Sequence, residues 1–230
     1  MKKSILLAAL LLTPWVASSA ATINWGASNL ISGASDVSVQ GDYFGSWAPN
    51  NGDANLTPVN GVSFQGYPDL PGFTQNLVDG GQYYGAASTP DADYNNLLSF
   101  GRYGDQGVNY SFSWNGMIAG HTYQVQIWAS DTRNIGQTRW ENFSGDGGDV
   151  SPDVYLPADG STGGHYIIGT FVADGTGTQT INIDPNGTDG GSAQVNLFQV
   201  RDLGVVPEPA SAGLLTLGLA GAALRRRRSA

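Results

Sequence analysis

The sequence predicts an all-β protein, an antiparallel β-sandwich of short strands. Helical periodicity is nearly absent between residues 21 and 206, where short runs of alternating apolar and polar residues dominate. Glycine, asparagine and aspartate separate these runs, and pairs such as Asp79-Gly80 and Asp146-Gly147 favour the positive φ angles of tight turns. We therefore expect residues 22–204 to form one sandwich domain.

The chain begins with the pattern of a secretory signal peptide, which we place at residues 1–21. Lys2 and Lys3 give a positive start, a short apolar run ends at Leu12, and small residues at 17–21 offer a cleavage site. The apolar run is too short to remain as a membrane anchor. The sequence thus predicts a signal helix that is removed during export.

The clearest strand signal lies at residues 122–128, where Tyr123, Val125 and Ile127 share one face. The segments 165–172 and 178–183 are expected to pair with each other through a turn at 175–177. One short helix is predicted around 93–98, with Asp91 or Asp93 as its N-cap. Further strands are predicted at residues 22–25, 36–40, 61–65, 109–114 and 194–202.

Composition excludes several classes of function. The chain has no cysteine, so disulfides and thiolate metal sites are absent. Between the two ends, four basic residues stand against 17 aspartates, and a chain without a basic patch does not bind nucleic acid. The four basic residues are Arg102, Arg133, Arg139 and Arg201.

No catalytic constellation is recognisable, and we expect a protein that is not an enzyme. The two histidines, His121 and His165, lie in no nucleophile motif. Glycoside hydrolysis usually needs two carboxylates across the scissile bond, but Glu141 is the only glutamate before residue 208. An exopolysaccharide-acting enzyme with an aspartate pair stays open as an alternative.

We expect the segment around Trp140 to be a polar loop, and it has the composition of a sugar site. An aromatic plane supplies a stacking face, and the neighbouring Arg139 and Asn142 supply planar hydrogen-bonding groups. Trp47 is a second candidate for stacking. These residues predict a noncatalytic, glycan-binding or adhesive protein. The alternative is a purely structural envelope protein in which the aromatic residues are all buried.

One loop has the oxygen ligands of a structural calcium site. Asp184, Asn186 and Asp189 offer carboxylate and amide oxygens within the segment 184–190. The segment departs from an EF-hand because no glutamate closes it. An ordinary Asp/Gly turn is the alternative interpretation.

The last residues, 205–230, have three parts in a fixed order. Pro207, Glu208 and Pro209 precede an apolar stretch at 210–224, and Arg225, Arg226, Arg227 and Arg228 follow it. As a helix, these 15 apolar residues span about 22 Å, less than the roughly 30 Å of a bilayer core. We expect a short hydrophobic helix that inserts transiently, with the arginines on the cytoplasmic side.

This tail resembles the PEP-CTERM sorting signal in its Pro-Glu-Pro motif, its Gly- and Leu-rich helix and its arginine cluster. The resemblance implies a bacterial protein that is exported through the inner membrane and recognised by an exosortase-like processing enzyme. That enzyme would cut the chain near residues 207–209 and leave the protein at the cell surface or in an exopolysaccharide matrix.

A looser resemblance covers most of the domain. The segments 59–64, 97–98, 119–128, 131–133, 166–171 and 195–201 are similar to those of exported PEP-CTERM proteins with a galactose-binding-like jelly roll. The resemblance implies this fold and a glycan as partner, and it assigns no binding residues.

Overall fold

The computed structural model describes a sandwich of two antiparallel sheets, as the sequence predicts. The predicted signal helix and C-terminal hydrophobic helix lie outside the described residues. Those residues are 21–49, 56–66, 72–78, 82–85, 87–105, 108, 110–137, 139–157, 163–187 and 192–205. Within these ranges, no helix is long and apolar enough to cross a membrane.

The elements are short, with a single α-helix and a 3₁₀ turn at Ala34–Asp36 among the described residues. In chain order they are β1 (Asn24–Trp25), β2 (Asn29–Leu30), β3 (Asp42–Trp47), β4 (Phe73–Gln75), β5 (Gln82–Tyr83), α1 (Ala92–Leu98), β6 (Phe100–Tyr103), β7 (Tyr110–Trp114), β8 (His121–Ala129), β9 (Arg139–Gly145), β10 (Val154–Leu156), β11 (His165–Val172), β12 (Gln179–Gly187), β13 (Gln194–Val195) and β14 (Leu197–Val205).

Three sheets organise these strands. The six-stranded sheet has the order β1-β11-β8-β14-β3, with β2 also paired to β11. The five-stranded sheet has the order β10-β9-β12-β7-β4, and β13-β6-β5 form a small third sheet. The chain crosses from one large sheet to the other between β3 and β4, β7 and β8, β8 and β9, β10 and β11, and β11 and β12. Neighbours in a sheet are therefore mostly distant in sequence.

The main core fills the space between the two large sheets. Its centre is Phe198 of β14, whose ring lies 4.8 Å from the ring of Trp114 and 5.2 Å from the rings of Phe112 and Trp47. Aromatic rings bury large apolar areas, so this cluster supplies much of the hydrophobic stabilisation. Alternation in β7 produces this cluster, since Phe112 and Trp114 face inward and Ser113 between them faces outward.

A second core covers the opposite face of the six-stranded sheet. Helix α1 begins at Asp91, whose carboxylate accepts a hydrogen bond from Tyr94 N–H at 2.8 Å, as predicted for its N-cap. Tyr94 and the leucines of α1 pack on Trp128, whose indole N–H donates to the Tyr94 hydroxyl at 2.7 Å. Because both faces of this sheet are covered, β8 is buried from Tyr123 to its end.

The structure corrects three sequence predictions. Residues 36–40 form no strand, because Asp36 ends a 3₁₀ turn in which its carboxylate binds the N–H groups of Ser32 and Gly33. Residues 61–65 make isolated bridges only, although Val62 and Phe64 are buried. The segments 165–172 and 178–183 do form strands, β11 and β12, but these belong to different sheets and do not pair.

Candidate functional site

The candidate site lies on β9, a segment that the sequence analysis predicted as a polar loop. Buried and partly exposed side chains alternate along this strand. Arg139, Glu141 and Phe143 point inward and are buried, whereas Trp140 and Asn142 point to the outer surface of the five-stranded sheet. Strand β12 alternates in the same way, with isoleucines inside and polar residues outside. We call the outer surface formed by Trp140, Asn142, Asp153, Tyr155, Asp184 and Asn186 the polar face.

Strand register brings these residues into two rows. In the first row, Tyr155 of β10 lies opposite Trp140, and Trp140 lies opposite Asn186 of β12. In the second row, Asn142 lies opposite Asp184. Directly opposed residues in antiparallel strands have Cβ atoms about 5 Å apart, so each row is continuous across the strands. Trp140 and Asn142, predicted as ligand-binding residues, thus share one surface with Asp184 and Asn186, which were predicted as metal ligands.

Hydrogen bonds fix the centre of the polar face. Asn142 Nδ2 donates to Ser151 O at 2.9 Å and to Asp153 Oδ1 at 3.0 Å. Asn142 Oδ1 in turn accepts from Asn186 Nδ2 at 2.9 Å. The remaining oxygens, on Asn186 and on the two aspartates, make no hydrogen bond to any described residue. Asn186 and Asp153 therefore present oriented acceptors to hydroxyl groups of a ligand, and the exposed Asp184 adds a carboxylate beside them.

Aromatic rings border the polar face at one end. The Trp140 and Tyr155 ring centroids are 6.4 Å apart, and the Tyr155 ring is 5.6 Å from the ring of His165 in β11. Tyr155 is 43% exposed, and Trp140 and His165 are half-buried. Burial lowers the pKa of His165, so its ring is neutral at neutral pH. The row offers uncharged π surface beside hydrogen-bonding groups.

The polar face carries negative charge. Asp153 and Asp184 are exposed, and among the described residues no cationic side chain pairs with either. The face therefore repels phosphate and carboxylate groups and suits a neutral ligand rich in hydroxyls.

Arg139 lies on the other side of β9, and its predicted role in the sugar site is corrected. Its Nη2 donates to the buried carboxylate of Asp131 and, at 2.7 Å, to Gln194 Oε1. Arg133 also binds Asp131, through Nε at 2.9 Å and Nη2 at 2.7 Å. Arg139 therefore stabilises the interior and does not reach the polar face.

Glu141 belongs to the same interior cluster. It is 1% exposed, and its Oε2 accepts a hydrogen bond from Gln194 N–H at 2.9 Å, whereas its Oε1 has no partner among the described residues. Burial raises the pKa of the Glu141 carboxyl to about 8, because this hydrogen bond and the charge of Arg139 compensate only partly for lost solvation. The carboxyl is therefore mostly protonated at neutral pH.

The structure also corrects the prediction that Trp47 stacks on a sugar. It is 1% exposed and packs between Phe198 and Phe73, with the Arg102 guanidinium 5.6 Å from its ring centroid. A ring enclosed in this way offers no face to a sugar. Trp47 is a core residue that joins β3 to the centre of the sandwich.

The calcium prediction is only partly covered by the structure. Asp184 and Asn186 lie in β12, which continues to Gly187, and Asp189 lies outside the described residues. Across the described ranges, no group of three or more His, Cys, Asp or Glu side chains is placed to hold a metal ion. Calcium at residues 184–190 stays a prediction.

Sequence reasoning missed Tyr155, His165 and Asp153 as neighbours of Trp140. A signal for Tyr155 was present, since the buried residues Val154 and Leu156 flank it and leave its side chain outside. His165 was predicted to begin a strand, which is confirmed. Its contact with Tyr155 depends on the meeting of β10 and β11, which belong to different sheets, and no local pattern encodes that contact.

Comparison with known proteins adds one clear finding. A family model described as the PEP-CTERM protein-sorting motif matches residues 205–228. This range includes Pro207, Glu208, Pro209 and Arg225–Arg228, all of which lie outside the described residues. No curated protein matches the chain.

Two solved structures show a limited likeness to the fold. One is a calcium-binding mutant of Bacteroides uniformis β-glucuronidase 2, with a TM-score of 0.45 and 14% identity over 68% of this chain. This chain spans only 18% of that protein. The other is CsCBM6-3 from Clostridium stercorarium in complex with cellobiose, with a TM-score of 0.28 and 11% identity over 72% of this chain and 98% of that one. Because both TM-scores are below 0.5, we assign the fold from the strand order and register of this protein and not from these two likenesses.

The sorting motif indicates a protein that is exported and sorted by an exosortase to the cell surface or the extracellular space. The part of the chain before this motif forms the β-sandwich, and the polar face lies on one sheet of that sandwich. The chain is thus an antiparallel β-sandwich that carries a PEP-CTERM protein-sorting motif at its C-terminus.

Proposed function

We propose that this protein is an exported, noncatalytic polysaccharide-binding protein and that the polar face holds a neutral glycan. The observation that carries the proposal is the row of Tyr155, Trp140 and Asn186 beside the oriented amide of Asn142. Sugar rings combine an apolar face with a rim of hydroxyls, so stacking surface next to fixed acceptors suits them.

The charge of the polar face supports a neutral ligand. Asp153 and Asp184 accept hydrogen bonds from sugar hydroxyls, but they repel acidic polymers. The width of the sheet also favours a polymer, since the outward residues of β12 and β7 beyond Asp184 are all Asn, Thr or Ser. An extended chain of sugars can follow such a surface.

A noncatalytic role agrees with where the carboxylates lie. The interior acids Asp131 and Glu141 are at most 1% exposed and are bound by Arg139 and Gln194. Hydrolysis needs two carboxylates on either side of a bound sugar, which such enclosed groups do not offer.

The enzyme alternative would have to use the exposed Asp153 and Asp184 of the polar face. An assay for new reducing ends on each bound polysaccharide distinguishes an enzyme from a binding protein. We expect that the protein produces no new reducing ends.

We further propose that the sandwich is a galactose-binding-like jelly roll. Its support is the repeated crossing of the chain between the two large sheets. In this account the exosortase positions the protein outside the inner membrane, and the polar face then retains it in the surrounding polysaccharide. Structural calcium near Asp184 is part of the proposal, and a fall in melting temperature on addition of EDTA would support it.

Affinity electrophoresis tests the glycan proposal. Gels that contain a soluble neutral β-glucan, mannan or galactan should retard the protein in at least one case. Trp140→Ala should reduce that retardation by tenfold or more, because an aromatic side chain contributes about 1.5–3 kcal/mol when buried. Tyr83→Ala is the matched control, since Tyr83 is an exposed aromatic residue, at 54%, on the small third sheet.

Two results would contradict the proposal. One is a protein that no neutral polysaccharide retards, which would favour a purely structural role. The other is equal retardation of Trp140→Ala and the unmodified protein, which would place any binding site elsewhere.

A further inference from the structure

A cleft of about 500 Å³ opens on the side of the six-stranded sheet that faces away from the five-stranded sheet. Its lining includes Val39, Tyr43, Asn60, Gly61, Gln65 and Arg201. No aspartate or glutamate is among the described lining residues, although aspartates are abundant in the chain. The cleft therefore differs in charge from the polar face and lies on the opposite side of the sandwich.

Arg201 is the chemically distinctive group of the cleft. It is 8% exposed, and its Nε and Nη2 donate to the carbonyl oxygens of Gln40 and Gly41 at 2.7 and 2.6 Å. Its Nη1 is neither fully buried nor hydrogen-bonded to any described residue. Two bonds thus fix the guanidinium plane while one nitrogen remains for a ligand.

The cation also lacks a carboxylate partner among the described residues. The nearby Asp202 binds the His121 ring at 2.9 Å instead. By contrast, Arg133 and Arg139 both bind Asp131. A fixed, unpaired guanidinium that lines a cleft attracts an anion, and its one positive charge is balanced by the single negative charge of a carboxylate.

The other walls match a sugar ring. The Tyr43 hydroxyl is occupied, since it accepts from Ser46 N–H at 3.1 Å, so the exposed 47% of this residue is largely ring surface. The exposed Val39 adds apolar surface. Opposite them, the tight Asn60-Gly61 turn is fixed by a hydrogen bond from Asn60 Nδ2 to Val37 O at 2.7 Å, which leaves Asn60 Oδ1 free. The Gln65 amide is likewise free for hydroxyls.

From these features we propose that the cleft binds a carboxylate-bearing pyranose, a uronic acid residue of an acidic polysaccharide. The carboxylate contacts Arg201 Nη1, the ring stacks on Tyr43, and hydroxyl groups contact Asn60 and Gln65. This site is separate from the polar face in position and in ligand charge. The protein would therefore bind a neutral and an acidic glycan on opposite sides.

Calorimetric titration with tri-galacturonate tests the proposal, with its carboxyl-reduced neutral trisaccharide as the matched ligand. Tri-galacturonate should bind at least tenfold more tightly. Val39→Asp should weaken this binding at least tenfold because it places a negative charge in the cleft, whereas Val39→Asn should change it less than about threefold. Val39 is 56% exposed, so neither variant should alter folding.

Two further variants sharpen the test. Tyr43→Leu should weaken binding of tri-galacturonate through loss of the ring, and Trp140→Ala should leave it unchanged. Equal affinity for the two trisaccharides would overturn the proposal, as would equal binding by Val39→Asp and Val39→Asn. An acidic peptide that binds more tightly than tri-galacturonate would also overturn it. None of these results bears on neutral polysaccharide binding at the polar face, which Trp140→Ala tests.

Discussion

Replacing Glu141 by glutamine should stabilise the protein at and above neutral pH. In the folded state, burial raises the pKa of this carboxyl to about 8, from an ordinary value of 4.5. The unfolded chain therefore releases the proton near pH 4.5, whereas the folded protein retains it to about pH 8. Between these values, unfolding releases a proton, so the free energy of unfolding falls as the pH rises.

The size of the effect follows from the same two values. Each pKa unit corresponds to about 1.4 kcal/mol, so the difference between 4.5 and about 8 amounts to roughly 5 kcal/mol. Glutamine resembles the protonated carboxyl, and its carbonyl oxygen accepts the hydrogen bond from Gln194 N–H. The variant should thus match the unmodified protein near pH 4 and exceed it by roughly 5 kcal/mol above pH 8.

Urea unfolding of both proteins at half-unit steps from pH 4 to 9 measures this difference. Subtracting one curve from the other removes the groups that both proteins share, including His165. The difference should grow by about 1.4 kcal/mol for each pH unit between 5 and 8. Asp184→Asn is the control, because it removes one carboxylate at an exposed position. Parallel curves for the unmodified protein and Glu141→Gln would refute the reasoning.

Four further changes have expected outcomes. Asp131→Asn should lower the free energy of unfolding by about 3–5 kcal/mol in urea titrations, because it leaves the buried Arg139 without its carboxylate. Gly104→Ala should lower the melting temperature by several degrees, since a Cβ there would lie 2.0 Å from the Tyr110 ring; an unchanged melting temperature would contradict this contact. His165→Gln should reduce the loss of stability as the pH falls below 6.5, because burial lowers the pKa of His165 and its protonation therefore disfavours the folded state; urea unfolding at pH 5 and 7 measures this. Replacing Arg225–Arg228 by alanine should block processing of the sorting motif, so that cell fractionation finds the unprocessed chain in the membrane or the cell, whereas normal release would argue against a role for the cluster.

The sequence predicts best those strands in which apolar and polar residues alternate, because one side of such a strand is buried and the other faces solvent. Strand β7 is an example, since Tyr110, Phe112 and Trp114 are buried and the two serines between them are not. The helix near Asp91 was predicted for a similar reason, because its N-cap is a local interaction.

Strand β9 shows where this reasoning fails. Its inward residues include Arg139 and Glu141, whose polarity concealed the alternation, and the segment was predicted as a loop. Inside the protein, Asp131 binds Arg139 and Gln194 N–H donates to Glu141, and these partners are 8 and 53 residues away in the chain. Long-range partners of this kind leave no local pattern.

The sequence predicted only part of the candidate site, because the alternation of β9 was not recognised. Trp140 and Asn142 lie on the polar face as the composition of their segment suggested, but Arg139 alternates to the opposite side. The cleft at Arg201 had no sequence signal. It depends on the packing of residues 37–41 and 59–65 against β14, which are more than 130 residues apart in the chain.

Mapping the polysaccharide contact on the isotopically labelled protein by NMR tests the central claim most directly. On addition of the neutral polysaccharide that retards the protein most, amide signals of β9, β10 and β12 and the indole signal of Trp140 should shift. Signals around Tyr83 and Arg201 should stay in place. Shifts that leave these three strands unaffected would contradict the account.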